Sequence, residues 1–201
     1  MALLTPKTIE SPFTLEKIRE LKLGQVVSLS GHVVACRDRV HKYLFDGGAS
    51  PVNLKDGAIY HCGPAVICKD GHWQIRAAGP TTSMRHEAFA DRLIEKHQVR
   101  VIIGKGGMGP RTQKACAAFG CVYLQAVGGA AQLLAARIER VEAAYFVEEF
   151  GPTEAMWDLV VKDFPAIVAM DAAGRSLYRR IERASRSALR SILSGAAPFK
   201  G

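Results

Sequence analysis

The chain has 201 residues, 48% of them hydrophobic and 23% charged, with a mean hydropathy of +0.04. That is the composition of one globular domain, or one and a half, able to bury a core without a disulfide or metal staple. Twenty-seven Lys and Arg against nineteen Asp and Glu give a formal charge of +8, a sign that invites an anionic partner, nucleic acid included. No run approaches ~18 apolar residues without a charge, which excludes a transmembrane helix. The opening MALLTPKTIESPF lacks the basic stretch and long apolar run of a signal peptide.

Along the chain, Thr14–Ile18 opens a short helix with Leu15, Ile18 and Leu21 on one stripe and Thr14 as its N-cap. Gln25–Ala35 is a strand with a bulge at Gly31. Residues 37–45 have helical spacing and stop at Gly47-Gly48. Ile59–Ile67 and Trp73–Ala78 read as two strands, joined by the turn Lys69-Asp70-Gly71. From Pro80 onward strand and helix alternate: a helix over 82–97, a strand over 99–103, a glycine loop, a helix over 111–119 and a strand over 121–127. A short helix over 129–138, strands near 141–147 and 166–170, and a final helix over 176–193 complete the set. A β-rich first third followed by alternation predicts a mixed α/β domain with both parallel and antiparallel pairing.

Five cysteines, Cys36, Cys62, Cys68, Cys116 and Cys121, include no C-x-x-C, and neither close pair has common zinc or cluster spacing. The expectation is reduced thiols, a cytoplasmic location and no metal held by this chain. The histidines at 32, 61, 72, 86 and 97 share no metal spacing and read as structural or surface residues.

Three segments carry chemistry. Gly104-Lys105-Gly106-Gly107-Met108-Gly109 fits G-x-G-x-x-G between a strand and a helix. A dinucleotide site would need a carboxylate at the end of the next strand. That strand ends Leu124-Gln125-Ala126-Val127-Gly128-Gly129 and offers none. No Lys-Ser/Thr follows the last glycine, so the loop is not a phosphate-binding Walker motif. It remains either a structural turn or a cradle of backbone N–H groups with Lys105 among them, suited to a small anion. Gly79-Pro80-Thr81-Thr82-Ser83-Met84-Arg85 sits between strand and helix. Its hydroxyls can cap the helix, and Arg85 lies one turn beyond Thr81. In Cys36-Arg37-Asp38-Arg39-Val40-His41, Asp38 can orient an arginine or cap a helix, and His41 can bond a backbone carbonyl. For each of these two segments taken alone, capping with a solvated surface charge stands as the alternative to anion binding. Together, Arg37, Arg85 and Lys105 with the hydroxyls of Thr81 and Thr82 supply three cations and two donors, a set able to clamp a small dicarboxylate at both ends. It lacks a Lewis acid and a carboxylate base, so half of any catalytic site is missing.

These motifs, Arg37-Asp38-x-x-His41, Gly79–Arg85 and Gly104–Pro110, with Gly128-Gly129-Ala130-Ala131 and the stretch Trp157–Asp171, resemble the C-terminal half of the iron–sulfur class I hydro-lyases, class I fumarate hydratase and L(+)-tartrate dehydratase. The resemblance covers residues 10–178 and is closest to the beta subunit of the split members. It implies a swivelling β/β/α domain with a mixed sheet over residues 1–178, followed by a basic C-terminal helix and tail over 179–201. It also implies an alpha subunit holding the [4Fe–4S] cluster, a small dicarboxylate substrate and a heterotetramer or higher assembly. By the same resemblance, Arg37, Arg85 and Lys105, with Thr82, bind substrate carboxylates, Gly104, Gly106 and Gly107 form the anion loop, and Thr81 moves a proton at carbon. Glu154-Ala155-Met156-Trp157 to Asp163-Phe164-Pro165-Ala166 resembles the fumarate hydratase version more than the tartrate one. Reversible hydration of fumarate to L-malate is therefore the first expectation, and dehydration of L-tartrate to oxaloacetate the alternative.

The competing classes are a nucleic-acid-binding module and a non-catalytic anion-binding protein. The first expects a basic face with interleaved aromatics, and the sequence shows neither. Seven cations stand from residue 175 onward against Glu182 alone, a local balance of +6. Residues 1–174 therefore carry only +2.

Overall fold

A computed structural model describes residues 5–194. In chain order they form β1 (Lys7–Glu10), α1 (Leu15–Arg19), β2 (Val26–Cys36), α2 (Asp38–Phe45), β3 (Ala58–His61), β4 (Ala65–Lys69) and β5 (His72–Ala77). A 3₁₀ turn (Ser83–His86) then runs into α3 (Glu87–His97). β6 (Val101–Gly104), α4 (Pro110–Phe119), β7 (Val122–Gln125), α5 (Ala131–Ala135), β8 (Ile138–Tyr145), α6 (Val147–Phe150), β9 (Met156–Met170) and α7 (Leu177–Leu193) follow.

The large sheet has the order β1-β2-β3-β6-β7-β9-β8. Its β1–β2, β2–β3, β3–β6 and β6–β7 pairs are parallel, and β9 runs antiparallel to β7 and β8. β9 also pairs along nearly all of β2, antiparallel, from Val26↔Ile167 to Ala35↔Trp157. The two long strands thus fold the sheet back on itself. Strict alternation then sorts the side chains of the parallel strands. Ala58 and Tyr60, Val101 and Ile103, and Val122 and Leu124 enter the core shared with Trp157, Leu159 and Phe164 of β9. Their neighbours Ile59, Ile102 and Tyr123 face α2, α3 and α4, against Val40, Leu44, Ala90, Leu93, Ile94 and Cys116. Strands buried on both faces read as continuous apolar runs, as parallel strands do. The outcome is two β layers and one α layer, the mixed α/β architecture expected.

Several elements differ from their sequence reading, each for a local reason. Residues 59–67 are not one strand: β3 ends at His61, the chain turns through Gly63-Pro64, and β4 pairs with β5 across Asp70 (φ 52°) and Gly71 (φ 75°). The strand expected at 166–170 is the last third of β9, whose charged Lys162-Asp163 pair disguises its continuity. β1 and α6 have four residues each, too short for any periodicity to show. Thr14 stands at the N-cap of α1 but makes no side-chain cap there. Gly31 is the expected bulge: the β2–β9 register shifts beside it, its φ is +107°, and a Cβ would lie 2.0 Å from Ser11 Oγ. The boundary drawn at 178 falls in the first turn of α7, and the tail beyond residue 194 lies outside the described residues.

Candidate active site

The carboxyl ends of the parallel strands converge on one rim, the usual place for a site in such a sheet. β2 ends at Cys36, and Arg37 turns out of the strand to become the N-cap residue of α2. β3 ends at His61, whose carbonyl accepts the Thr81 N–H at 2.7 Å. β6 ends at Gly104, and a parallel bridge joins Lys105 to Thr82, with the Ser83 N–H donating to the Lys105 carbonyl at 3.1 Å. Three segments far apart in sequence are thereby stitched side by side.

On that rim the Arg85 guanidinium donates through Nη2 to both Thr81 Oγ1 (3.0 Å) and Asp38 Oδ2 (2.8 Å). Arg37 stands alongside, with Nη2 3.7 Å from Asp38 Oδ2 and Nε 3.4 Å from Glu154 Oε1, a contact of charges in which buried Nε completes no hydrogen bond. Gly63 makes room for this arginine, since a Cβ there would lie 2.5 Å from Arg37 Cδ. Arg37, Thr81 and Arg85 are thus brought together, and Lys105 lies beside Thr82 with its aliphatic chain against Gly128. Thr82, Arg85 and Gly106 are exposed, so the rim is open rather than a closed pocket.

The three hydroxyls do not act as a helix cap. Thr81 Oγ1 turns to Arg85, Thr82 makes no side-chain cap, and Ser83 is buried. Nor does the N-terminus of α4 offer free donors beside the glycine loop. Glu87 fills it: one carboxylate oxygen accepts from Arg111 N–H and Thr112 N–H, and the other from Gly109 N–H at 2.7 Å and Thr112 Oγ1 at 2.6 Å. Of the loop glycines, Gly104 leaves space for Ser83, Gly107 N–H donates to Tyr123, and Gly106 (φ +79°) has open surroundings. What faces solvent from the loop is Lys105 with the backbone around Gly106.

Beneath the rim lies a layer that sequence spacing does not reveal. Gly107 N–H donates to the Tyr123 hydroxyl (3.3 Å), Tyr123 donates to Ser83 Oγ (3.0 Å), and Ser83 Oγ meets His61 Nδ1 at 2.9 Å. His61 stacks on His86 at 4.1 Å between centroids, and His86 packs on His41 at 4.3 Å. His41 Nδ1 donates to the Arg37 carbonyl (2.8 Å), the backbone bond expected for it. Burial pushes the pKa of His41 down to about 4 and, with the charges of His41 and Arg85 adding to it, that of His86 down to about 2. His61 is held well below 6.5, again by burial first. All three rings are neutral near pH 7, and His86 Nε2 sits 3.6 Å from Asp38 Oδ1. These partners lie tens of residues apart, so only the fold brings them together.

The cysteines do not suit an iron–sulfur cluster. Cys36, Cys62, Cys116 and Cys121 are buried. Burial raises the thiol pKa of Cys62 to about 12 and pushes Cys36 and Cys121 up as well. Among the described residues, no group of three or more His, Cys, Asp or Glu side chains is placed to hold a metal ion.

A family model described as "Fumarase C-terminus" matches residues 6–181. The chain belongs to that family. Among its members, the Geobacillus stearothermophilus protein named "Putative fumarate hydratase class I" is 51% identical over 180 residues, 89% of this chain and 34% of that protein. The Escherichia coli K12 protein named "L(+)-tartrate dehydratase subunit beta" is 36% identical over 173 residues, 85% of this chain and 86% of that protein. The chain therefore spans about a third of the first relative and most of the second. Of the motifs that resemble this family, Arg37–His41, Gly79–Arg85 and the Gly104–Pro110 loop lie along the rim, whereas Trp157–Asp171 belongs to β9 and the core. No helix among the described residues is long and apolar enough to cross a membrane.

Proposed function

We propose that this chain is the beta-type half of a carbon–oxygen hydro-lyase that reversibly hydrates fumarate to L-malate, in the cytoplasm, together with an alpha-type subunit carrying a [4Fe–4S] cluster. One observation carries the reading: a single guanidinium, Arg85, holds Thr81 Oγ1 and Asp38 together, with a second arginine and a lysine on the same rim. In the dehydration direction, a proton leaves the carbon next to a carboxylate while hydroxide leaves the neighbouring carbon and the electron pair forms the double bond. Negative charge grows on that carboxylate. Fixed cations at Arg37, Arg85 and Lys105 stabilise it more than they stabilise the ground state, and Thr82 supplies a further donor. Thr81 is the group that moves the proton. A hydroxyl is a weak base unless a neighbouring group takes its proton; the Arg85 N–H donated to Thr81 Oγ1 positions that oxygen and would stabilise it once deprotonated, and a carboxylate from the alpha-type subunit would be the group that takes the hydroxyl proton.

The Lewis acid that would assist hydroxide departure is assigned to a cluster on the alpha-type subunit, a reading supported by the absence, among the described residues of this chain, of side chains grouped to hold one. Five free cysteines fit a reducing compartment. The higher identity to the fumarate hydratase relative favours fumarate. Dehydration of L-tartrate is the second reading, favoured by the greater share of the subunit-beta relative that the chain covers. The test is anaerobic co-purification with the alpha-type subunit and assay on fumarate, mesaconate and both tartrates. Thr81→Ala or Arg85→Ala should each remove most turnover. Full activity in both variants would reject the site, and failure on every substrate would return the chain to the anion-binding class.

A further inference from the structure

Helix α7 is an arm. None of its residues from Leu177 to Leu193 is buried. Leu177, Ile181, Ala184, Ala188 and Ile192 recur at helical spacing along one stripe, with Ile181 and Ile192 each 55% exposed. Arg179, Arg183, Arg186 and Arg190 lie on the opposite side. A stripe of this kind in water is a contact surface awaiting its partner.

The base of the arm fixes where that partner sits. The Tyr178 ring packs against Gly107 of the glycine loop, and its hydroxyl bonds Gln125 at the end of β7. The arm therefore springs from the edge of the open rim and reaches roughly 25 Å from it at 1.5 Å per residue. Beneath its base is a cavity of about 670 Å³ walled by Lys22, Arg175, Arg179, Arg180 and Arg183, with no carboxylate in its lining. Arg175 pairs with Asp171; Lys22, Arg179, Arg180 and Arg183 have no acidic partner among the described residues. Two copies paired through their stripes would leave the cationic cavity, on the other side of the helix, unmatched, and a second copy seated in the cavity through the same face would oppose like charges. The occupant must supply both an apolar groove and carboxylates.

We propose that α7 docks the alpha-type subunit, its apolar stripe lying in a groove of that subunit and acidic side chains of a separate segment of that subunit entering the cationic cavity on the other side of the helix. This rests on reading the chain as half of a two-part hydro-lyase, since the subunit that completes the rim must approach past the base of the arm. The family model stops at residue 181, so most of the arm lies beyond the matched region.

The test measures affinity of the full chain for the purified alpha-type subunit, anaerobically and at several salt concentrations. Ile181→Glu with Ile192→Glu should weaken binding at least about 100-fold, the effect of charging two central anchors of an interface. The thermal melt of the free chain should stay unchanged, because both positions are exposed. Arg179→Glu with Arg183→Glu should weaken binding and flatten its salt dependence. Unchanged affinity in both variants overturns the proposal, as does a wild-type chain that never binds the subunit. Two other outcomes also overturn it: wild-type self-association in sedimentation velocity that the Ile variant abolishes, or cosedimentation with phosphatidylglycerol vesicles that the same variant abolishes. Turnover that does not depend on the arm rejects the docking and keeps the reaction, whereas an arm-dependent complex inactive on every dicarboxylate rejects the reaction and keeps the docking.

Discussion

The stacked histidines predict a steep loss of stability in mild acid. His41, His61 and His86 are neutral in the folded chain because burial opposes their charging, and His86 also faces the cations of Arg85 and Arg37. In the unfolded chain each titrates near pH 6.5. Below that pH the unfolded state binds more protons than the folded one, so stability falls as pH falls, and it continues to fall until the folded pKa values are passed. Each such proton is worth roughly 1.4 kcal/mol per pH unit. Three of them give a loss of roughly 3–4 kcal/mol between pH 6 and pH 5, before most carboxylates protonate, against a total stability of roughly 5–15 kcal/mol. Urea unfolding at half-unit pH steps measures this slope. The control is His86→Phe, which keeps a ring in the stack and removes two buried ring nitrogens that have no hydrogen-bond partner. It should reduce the slope by about one proton and leave stability at pH 7.5 equal or higher. A wild-type loss below about 1 kcal/mol over that unit would refute the reasoning, because no buried neutral trio could then be present.

Asp38→Asn removes the charge that holds Arg85 over Thr81 and touches Arg37. The pair is partly exposed, so the melting temperature should barely move, while kcat of the assembled enzyme falls about tenfold or more with a smaller change in KM, which steady-state assays resolve. Glu87→Ala strips the N-terminus of α4 of a carboxylate accepting four hydrogen bonds; a loss of about 2–3 kcal/mol is expected in urea unfolding. Gly31→Ala forces a Cβ onto Ser11 Oγ at a φ of +107° and should cost at least about 2 kcal/mol. Adding Ser11→Gly should recover only the steric part.

Much of the fold was legible because both faces of the parallel strands are buried. Val101-Ile102-Ile103 and Val122-Tyr123-Leu124 are unbroken apolar runs, and between them Gly109-Pro110 and Gly120 mark the ends of α4 as N-cap, N1 and αL cap residues. β9 was legible only at its end, because Asp163 with positive φ and Pro165 interrupt a strand whose continuity comes from pairing with β2 rather than from propensity. At the site, Arg37, Thr81 and Arg85 could be singled out because strand-to-helix turns select their positions. The histidine stack, the Tyr123–Ser83 link and the Glu87 cap are contacts between elements, and no spacing rule reaches across 22 or 40 residues. Glu87 shows the cost of that blindness: the helix end that sequence logic offers to a substrate carboxylate is taken by a carboxylate of the chain itself.

That substitution sharpens where a substrate anion can gain most. A helix N-terminus attracts any anion, so an unfilled one beside the rim would bind ground-state carboxylate regardless of reaction progress. With Glu87 filling it, the positive charge left facing solvent on the rim comes from the side chains of Arg37, Arg85 and Lys105. Arg85 is fixed by Asp38, Arg37 lies between Asp38 and Glu154, and the Lys105 backbone is fixed by Ser83 and Thr82. Ser83 is in turn held by Tyr123 and His61, so the lysine loop and the Thr81–Arg85 turn share one buried anchor. In the proposed reaction, the two arginines are positioned before substrate arrives and Lys105 is set in place by its backbone, which limits the reorganisation needed when charge develops. The neutral histidines suit the same end. A charged His86 would compete with the two arginines for Asp38, whereas burial keeps the stack uncharged and leaves the rim's potential to the residues that meet the substrate.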